Sequence, residues 1–92
     1  MKHIVCTVRD AKSEVFGRPF FVASIGMAIR SFDDEVNRAN EENMMYQHPE
    51  DFSLWEIGTY TDENAELKAT IPPKMLVQGD QVKKGQLHIS KV

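Results

Sequence analysis

An amphipathic helix pattern in residues 25–43 is the feature that most constrains the fold of this 92-residue chain. Its apolar residues recur at steps of three and four, which places them on one face of a helix. Ser24 precedes them as a favourable N-cap. A helix with one apolar face needs a second layer to pack against, so we expect a sheet. The apolar stripe consists of Ile25, Ala28, Ile29, Phe32 and Val36.

Strand patterns lie on both sides of this helix. Residues 3–9 and 20–23 precede it and are rich in β-branched and aromatic types, which are favoured in strands. Residues 53–60 and 66–71 follow it with an alternating pattern, and residues 61–64 between them have the composition of a turn. The order ββαββ predicts an α+β domain in which one amphipathic helix packs on a small antiparallel sheet.

The predicted sheet ends at the prolines of residues 72–73, because proline cannot donate to a strand ladder. We therefore expect residues 1–73 to form a single α+β domain. Residues 74–92 form a basic C-terminal extension with a weak pattern, in which residues 75–77 and 87–89 are candidate short strands.

Both faces of the predicted sheet carry large apolar residues, although one helix can cover only one face. Phe20 and Phe21 must point to opposite sides of their strand. We expect Trp55 and Ile57 to pack under the helix, with Leu54 on the other face. Because an uncovered apolar face is a liability, we expect a homodimer formed by sheet-to-sheet packing or edge pairing.

The chain lacks the sequence patterns of common enzymes and metal sites. It has no P-loop, dinucleotide glycine fingerprint or metal-ligand spacing. Cys6 lies in an apolar strand pattern, where cysteine behaves as a small buried residue. His48, Glu50 and Asp51 are the only local group of catalytic type, and Pro49 among them is typical of a turn before a strand. We expect a nonenzymatic protein with no catalytic residues, metal or cofactor.

The net charge of −3 conceals three blocks of different sign. Residues 1–32 carry five basic against two acidic side chains, residues 33–66 carry one against eleven, and residues 67–92 carry five against one. Separate basic and acidic surfaces permit a nucleic-acid partner despite the overall acidity. With a single cysteine and no apolar run near the ~18 residues that span a bilayer, we expect a soluble protein of a reducing cytoplasm.

Basic and aromatic residues alternate in the N-terminal block. Single-stranded nucleic acid is held by stacking of bases on aromatic rings and by attraction of phosphates to cations. The C-terminal lysines can extend such a surface. The candidate nucleic-acid-binding residues are Arg9, Lys12, Phe16, Arg18, Lys83 and Lys84.

Three stretches together resemble a known family. They are VRDAKSEVFGRPFF, GMAIRSFDDEVN and HPEDFSLWEIGTYTDEN, and the similarity covers residues 4–64. In order and spacing the chain resembles the small nonstructural protein of gokushovirus-type microviruses, which are phages with a circular single-stranded DNA genome. The resemblance implies a protein of the infected bacterial cytoplasm that is associated with DNA binding and with the switch to single-stranded genome synthesis and packaging. It supplies no catalytic residues.

The sequence is therefore compatible with two functions. The first is a nonenzymatic protein that binds single-stranded DNA during genome synthesis or packaging. The second is a protein-interaction module that binds a viral replication initiator or procapsid through an acidic helix face. Binding to phosphates weakens steeply with salt, whereas an apolar protein interface does not, so salt dependence distinguishes them. The acidic face consists of Asp33, Asp34, Glu35, Glu41 and Glu42.

Overall fold

A computed structural model describes residues 1–84 of the chain. In these residues an antiparallel sheet carries helices on one face, which confirms the predicted α+β class. The candidate strand at residues 87–89 and the last lysine, Lys91, lie outside the described residues. In chain order the elements are β1 (Lys2–Asp10), β2 (Val15–Phe16), β3 (Phe20–Val22), α1 (Ile25–Val36), α2 (Met44–Gln47), a 3-10 turn (Pro49–Asp51), β4 (Phe52–Thr61), β5 (Glu66–Gln78) and α3 (Gly79–Val82).

Strand β1 organises the sheet. It pairs with β4 along its whole length on one side, and with the short strands β2 and β3 on the other. Strands β4 and β5 form a long hairpin, and β5 is the outermost strand beyond β4. The long hairpin makes the molecule elongated, with extents of 53 × 25 × 22 Å.

Helix α1 closes the core against the sheet. Its residues Ala28, Phe32 and Val36 are buried and pack with Cys6 of β1 and Leu54 of β4. The other two helices also contribute side chains to this cluster. The predicted apolar stripe is therefore confirmed as the face of α1 that meets the sheet. Among the described residues no helix is both long and apolar enough to cross a bilayer.

Side-chain caps define both ends of α1. The hydroxyl of Ser24 accepts a hydrogen bond from the backbone amide of Met27 at 3.2 Å, so the predicted N-cap is confirmed. The helix ends at Val36, several residues before the predicted end. There the side-chain amide of Asn37 donates to the carbonyl of Asp33 at 2.8 Å, which satisfies one of the carbonyls that a helix end leaves free.

The prediction that Trp55 and Ile57 lie under the helix is wrong. Leu54 is fully buried there instead, beside its β1 partner Val8. Trp55 pairs with Thr7 and so points to the opposite face of the sheet. The pairing of β1 with β4 skips Ile57, which lies in a bulge.

The prolines at residues 72–73 do not end the last strand, contrary to the prediction. Residues 70–73 have no ladder partners in β4, where the register shifts between Glu56 and Gly58, and ladder pairing resumes at Lys74. Prolines are tolerated in β5 because an edge strand has one side that makes no ladder bonds. The domain boundary predicted after residue 73 therefore falls inside β5.

Candidate nucleic-acid interface

One face of the sheet points away from all three helices, and we call it the outer face. Because Cys6 and Val8 pack into the core, the alternate residues of β1 point outward, together with their cross-strand partners. Among residues 1–84 no helix packs on this face. Its members are His3, Val5, Thr7, Arg9, Phe16, Phe21, Trp55, Tyr60, Leu67 and Met75.

At one end of the outer face, a guanidinium group contacts one aromatic ring, and this ring contacts a second. The guanidinium carbon of Arg9 lies 5.7 Å from the centroid of the Phe16 ring. The Phe16 ring meets Trp55 edge to face, with centroids 5.6 Å apart and an interplanar angle of 84°. The indole Nε1 donates to the hydroxyl of Ser53 at 2.8 Å, which fixes the ring. Phe16 keeps 45% of its surface exposed.

Lys12 and Arg18 lie in the exposed turns on either side of β2, next to this cluster. The hydroxyl of Thr7 donates to the carbonyl of Gly17 at 2.8 Å and holds the second of these turns against β1. Within the described part of the chain, no carboxylate oxygen lies within 4.0 Å of the side-chain cations of Arg9, Lys12 and Arg18. The Asp10 carboxylate accepts instead from the backbone amide of Lys12 at 2.9 Å. These three cations with Phe16 and Trp55 are called the basic end.

A second aromatic group lies further along the same face. Phe21 meets Tyr60 edge to face with ring centroids 5.5 Å apart, and the centroids of the His3 and Tyr60 rings are 6.1 Å apart. An open, apolar groove of about 300 Å³ runs beside Phe21 and includes Ile57 and Leu67. Tyr60 was not among the predicted site residues, although the predicted strand at residues 53–60 ends with it.

The spacing of the two aromatic groups follows from the register. Phe16 pairs with Arg9 and Phe21 pairs with Val5, so four residues of β1 separate their positions. At the rise of an antiparallel strand this is about 13 Å.

The tip of the β4–β5 hairpin is acidic, and its residues Asp62, Glu63 and Glu66 are called the acidic tip. The carboxylate of Asp62 accepts a hydrogen bond from the N-terminal ammonium at 2.6 Å and lies 3.0 Å from Nε2 of His3. Both contacts hold the pKa of Asp62 below its usual value, and the hydrogen bond from the N-terminal ammonium has the larger effect. Asp62 thereby ties the start of β1 to the hairpin.

Lys83 and Lys84 lie with the helices, away from the other predicted site residues. The ammonium of Lys83 is 3.2 Å from the centroid of the Tyr46 ring and donates to the Tyr46 carbonyl at 2.7 Å. Loss of water around it lowers the pKa of Lys83. The ammonium of Lys84 lies 3.5 Å from a carboxylate oxygen of Asp33 on α1. The structure thus brings Arg9, Lys12, Phe16 and Arg18 together, but not the two lysines.

His48, Glu50 and Asp51 form the predicted turn before β4. The backbone amide of Asp51 donates to the carbonyl of His48 at 3.0 Å, and buried Pro49 begins the 3-10 turn. One side-chain ligand atom from each of the three residues lies within 4.8 Å of the others. These side chains are close to one another because all three residues belong to one tight turn.

Fold and surface together define a small α+β protein whose sheet presents an aromatic face with one basic end. The chain belongs to the Phage ORF5 protein family, whose sequence model matches residues 3–82. It is therefore a small phage protein, and the resemblance to a phage family is confirmed at that level. No curated protein and no solved structure matches the chain.

Proposed function

We propose that this phage protein binds single-stranded DNA on the outer face of its sheet and has no enzymatic activity. The observation that carries the proposal is the contact of Arg9 with Phe16 and of Phe16 with Trp55 on a face that no described helix covers. Rings and cations in one surface are what sequence-independent binding of single strands requires.

The basic end supplies both kinds of contact. An edge-to-face arrangement of Phe16 and Trp55 leaves parts of both rings accessible to a base. Arg9 lies against the Phe16 ring, and Lys12 and Arg18 lie in the turns on either side of β2. These cations attract the phosphates that flank a stacked base. Single strands fit this surface better than duplex, because paired bases have no free faces to stack on side chains.

The second aromatic group extends the site. About 13 Å along β1 corresponds to roughly four nucleotides at the ~3.4 Å spacing of one B-form strand. This falls at the lower end of the ~4–16 nucleotides that single-strand-binding folds occupy. Phe21 and Tyr60 would then contact a base at the far end of a short strand.

The resemblance to gokushovirus-type nonstructural proteins supports a specific role for this binding. We propose that the protein acts in the host cytoplasm, in the switch to single-stranded genome synthesis or in packaging. A protein that coats newly displaced single strands prevents their conversion to duplex, so binding without sequence preference suits either step.

A salt titration tests the proposal. Binding of a fluorescein-labelled oligo(dT) to three phosphate-contacting cations should give a slope of log K against log salt of about −2, or roughly a 15-fold loss between 50 and 200 mM salt. Arg9→Gln should flatten this slope, whereas the control Lys84→Gln on the helix side should not. A salt-independent affinity, equal effects of the two variants, or tighter binding to duplex would contradict the proposal.

A groove beside α1 supports the second function, binding to a viral replication or capsid protein. The groove measures about 580 Å³, and Val8, Phe20 and Met45 contribute apolar surface to it. Asp34 and Glu35 of α1 line it as well. Of the other acidic residues considered, Glu41 and Glu42 lie in the turn after α1 rather than on it. Binding of a viral protein that survives high salt and is lost in Phe20→Ser would favour this function.

A further inference from the structure

We propose that the groove beside Phe21 holds one unstacked base of a bound single strand through apolar contacts alone. Together with the basic end, this second base site sets a minimum strand length of about five nucleotides. The base site rests on the proposed binding of single-stranded DNA and defines which strands that binding accepts.

The groove exists because short residues form a strip across the outer face. Gly58 of β4 belongs to this strip, and a Cβ atom there would collide with the backbone carbonyl of Lys68 on β5. The cross-strand partners of Gly58, Val5 and Ala69, also carry short side chains. The larger residues around the strip are Pro19, Phe21, Ile57 and Leu67. The surface of the sheet is therefore concave at this point.

The lining of the groove is apolar, which suits the face of a base. Phe21 and Leu67, which border the groove, are 54% and 67% exposed. Lys68 is the only lining residue with a polar side-chain atom, and its ammonium lies 3.8 Å from a carboxylate oxygen of Glu66. Because every base has a face that can stack, a base can lie on this lining with its polar edges in water. Such a contact does not distinguish the four bases.

The size of the groove matches a small flat group. It measures about 300 Å³, which is at the lower end of the ~300–1,000 Å³ of ligand pockets. A folded partner needs about 800 Å² of its own surface in contact to bind stably, and a groove of this size does not supply that area. A single base needs only the groove and the ring of Phe21.

The groove and the basic end lie along one strand of the sheet. Val5 of β1 lines the groove and pairs with Phe21, whereas Arg9 of β1 pairs with Phe16. The separation of four residues is about 13 Å, or roughly four steps of a strand at ~3.4 Å per nucleotide. A strand with its first base on Phe16 therefore brings its fifth base to the groove. Strands of about three nucleotides or fewer reach only one of the two sites.

Binding of strands of different length tests the second base site on the unaltered protein. Fluorescence anisotropy gives the affinity for oligo(dT) strands of about two to eight nucleotides. The affinity should rise by roughly 5- to 150-fold at a length of about five nucleotides, because a second stacked base is then added. A smooth increase, in which each nucleotide contributes equally, would overturn the proposal.

Modified strands show which contacts the base makes. In a strand of about five nucleotides, an abasic residue at either end should cost most of this gain, whereas an abasic residue in the middle should cost little. Difluorotoluene, an apolar isostere of thymine, should bind at the ends as well as thymine does. Equal losses at the ends and in the middle, or a loss with the isostere, would contradict a base held by apolar contacts.

A variant that fills the groove tests its position. Ala69→Leu adds an apolar side chain to the groove and changes no charge or ring, and Ala39→Leu, at an exposed site after α1, is the matched control. Ala69→Leu should abolish the rise at about five nucleotides and leave the affinity for shorter strands unchanged, which also shows that the variant is folded. The control should keep the rise. Equal behaviour of the two variants would exclude the groove as the base site.

The same measurements separate the base site from the proposed function. Salt-dependent binding without the rise in affinity would remove the groove as a base site and leave the proposed function intact. Absence of binding at every length would contradict the proposed function, and the base site with it.

Discussion

Phe16 and Trp55 come from opposite halves of the chain and meet edge to face on the outer face of the sheet, 5.6 Å apart. Their positions are fixed by one strand, because Phe16 pairs with Arg9 and Trp55 pairs with Thr7 of β1. Such a pair contributes about 0.5–1.5 kcal/mol beyond the burial of its area. The candidate interface is thus part of the sheet itself and is present before any ligand binds.

Replacing a ring of this pair should weaken DNA binding more than it weakens the fold. Phe16→Leu keeps an apolar side chain but removes the stacking surface, which is worth about 1–3 kcal/mol per base. We expect a loss of roughly 5- to 150-fold in affinity for oligo(dT), measured by fluorescence anisotropy. Met27→Leu, an exposed apolar replacement on α1, is the matched control. An unchanged affinity in Phe16→Leu would exclude this ring from the site.

Removing the central core ring should destabilise the whole domain. Phe32 is 3% exposed and lies where α1 meets the sheet. Phe32→Ala should lower the free energy of unfolding by ~3–5 kcal/mol, because it removes buried area and leaves a cavity. Denaturant melts measure this, with exposed Met27→Ala as the control. A loss below about 1 kcal/mol would show that α1 is not docked as described.

The contact of Asp62 with the N-terminal ammonium should stabilise the fold near neutral pH and lose its effect at both low and high pH. The pKa of Asp62 is held below its ordinary 3.8, so its contribution is present above that value and disappears as pH falls through the lowered pKa. The same contact raises the pKa of the amino group of Met1 above its ordinary 8.0, so that contribution is lost as pH rises beyond the raised value.

Asp62→Asn should therefore reduce the melting temperature most between about pH 4 and pH 8, and the difference from the wild type should shrink outside this range. Glu66→Gln, at the same tip, serves as the control. A difference that is constant across pH would show that the substitution acts through something other than this ion pair.

Cys6 should be unreactive in the folded protein. Its side chain is fully buried, and burial, with a smaller effect from Glu56, raises the pKa of the thiol to about 11 from the ordinary 9.0. Because the thiolate is the reactive form, modification by a maleimide at neutral pH should be at least about 100-fold slower in the native state than in denaturant. Rapid native labelling would show that β1 opens readily.

The fold class and α1 were predictable because the helical stripe is strict and a single layer of strands must cover it. The orientation of β4 was not, because Leu54 and Trp55 are both large and apolar, and an alternating pattern does not say which face is inside. That choice depends on the register with β1, and the bulge at Ile57 then reverses the alternation for the rest of the strand.

The candidate site was predictable only where its residues are close in sequence. Arg9 and Phe16 were selected from their local clustering, and the β1–β2 turn does bring them into contact. Trp55 joins them through long-range pairing, which composition does not reveal. Lys83 was grouped with them by charge alone, and the hydrogen bond to Tyr46 holds it on the helix side instead.

The elongated outline of the molecule has a hydrodynamic consequence. With extents of 53 × 25 × 22 Å, the radius of gyration is 14.5 Å, whereas a compact chain of this length has a value near 12 Å. Such a body experiences more friction than a sphere of equal mass, so a single chain elutes early from a sizing column. An elution volume alone would therefore overstate the number of subunits, and mass must be measured by a method that does not depend on shape.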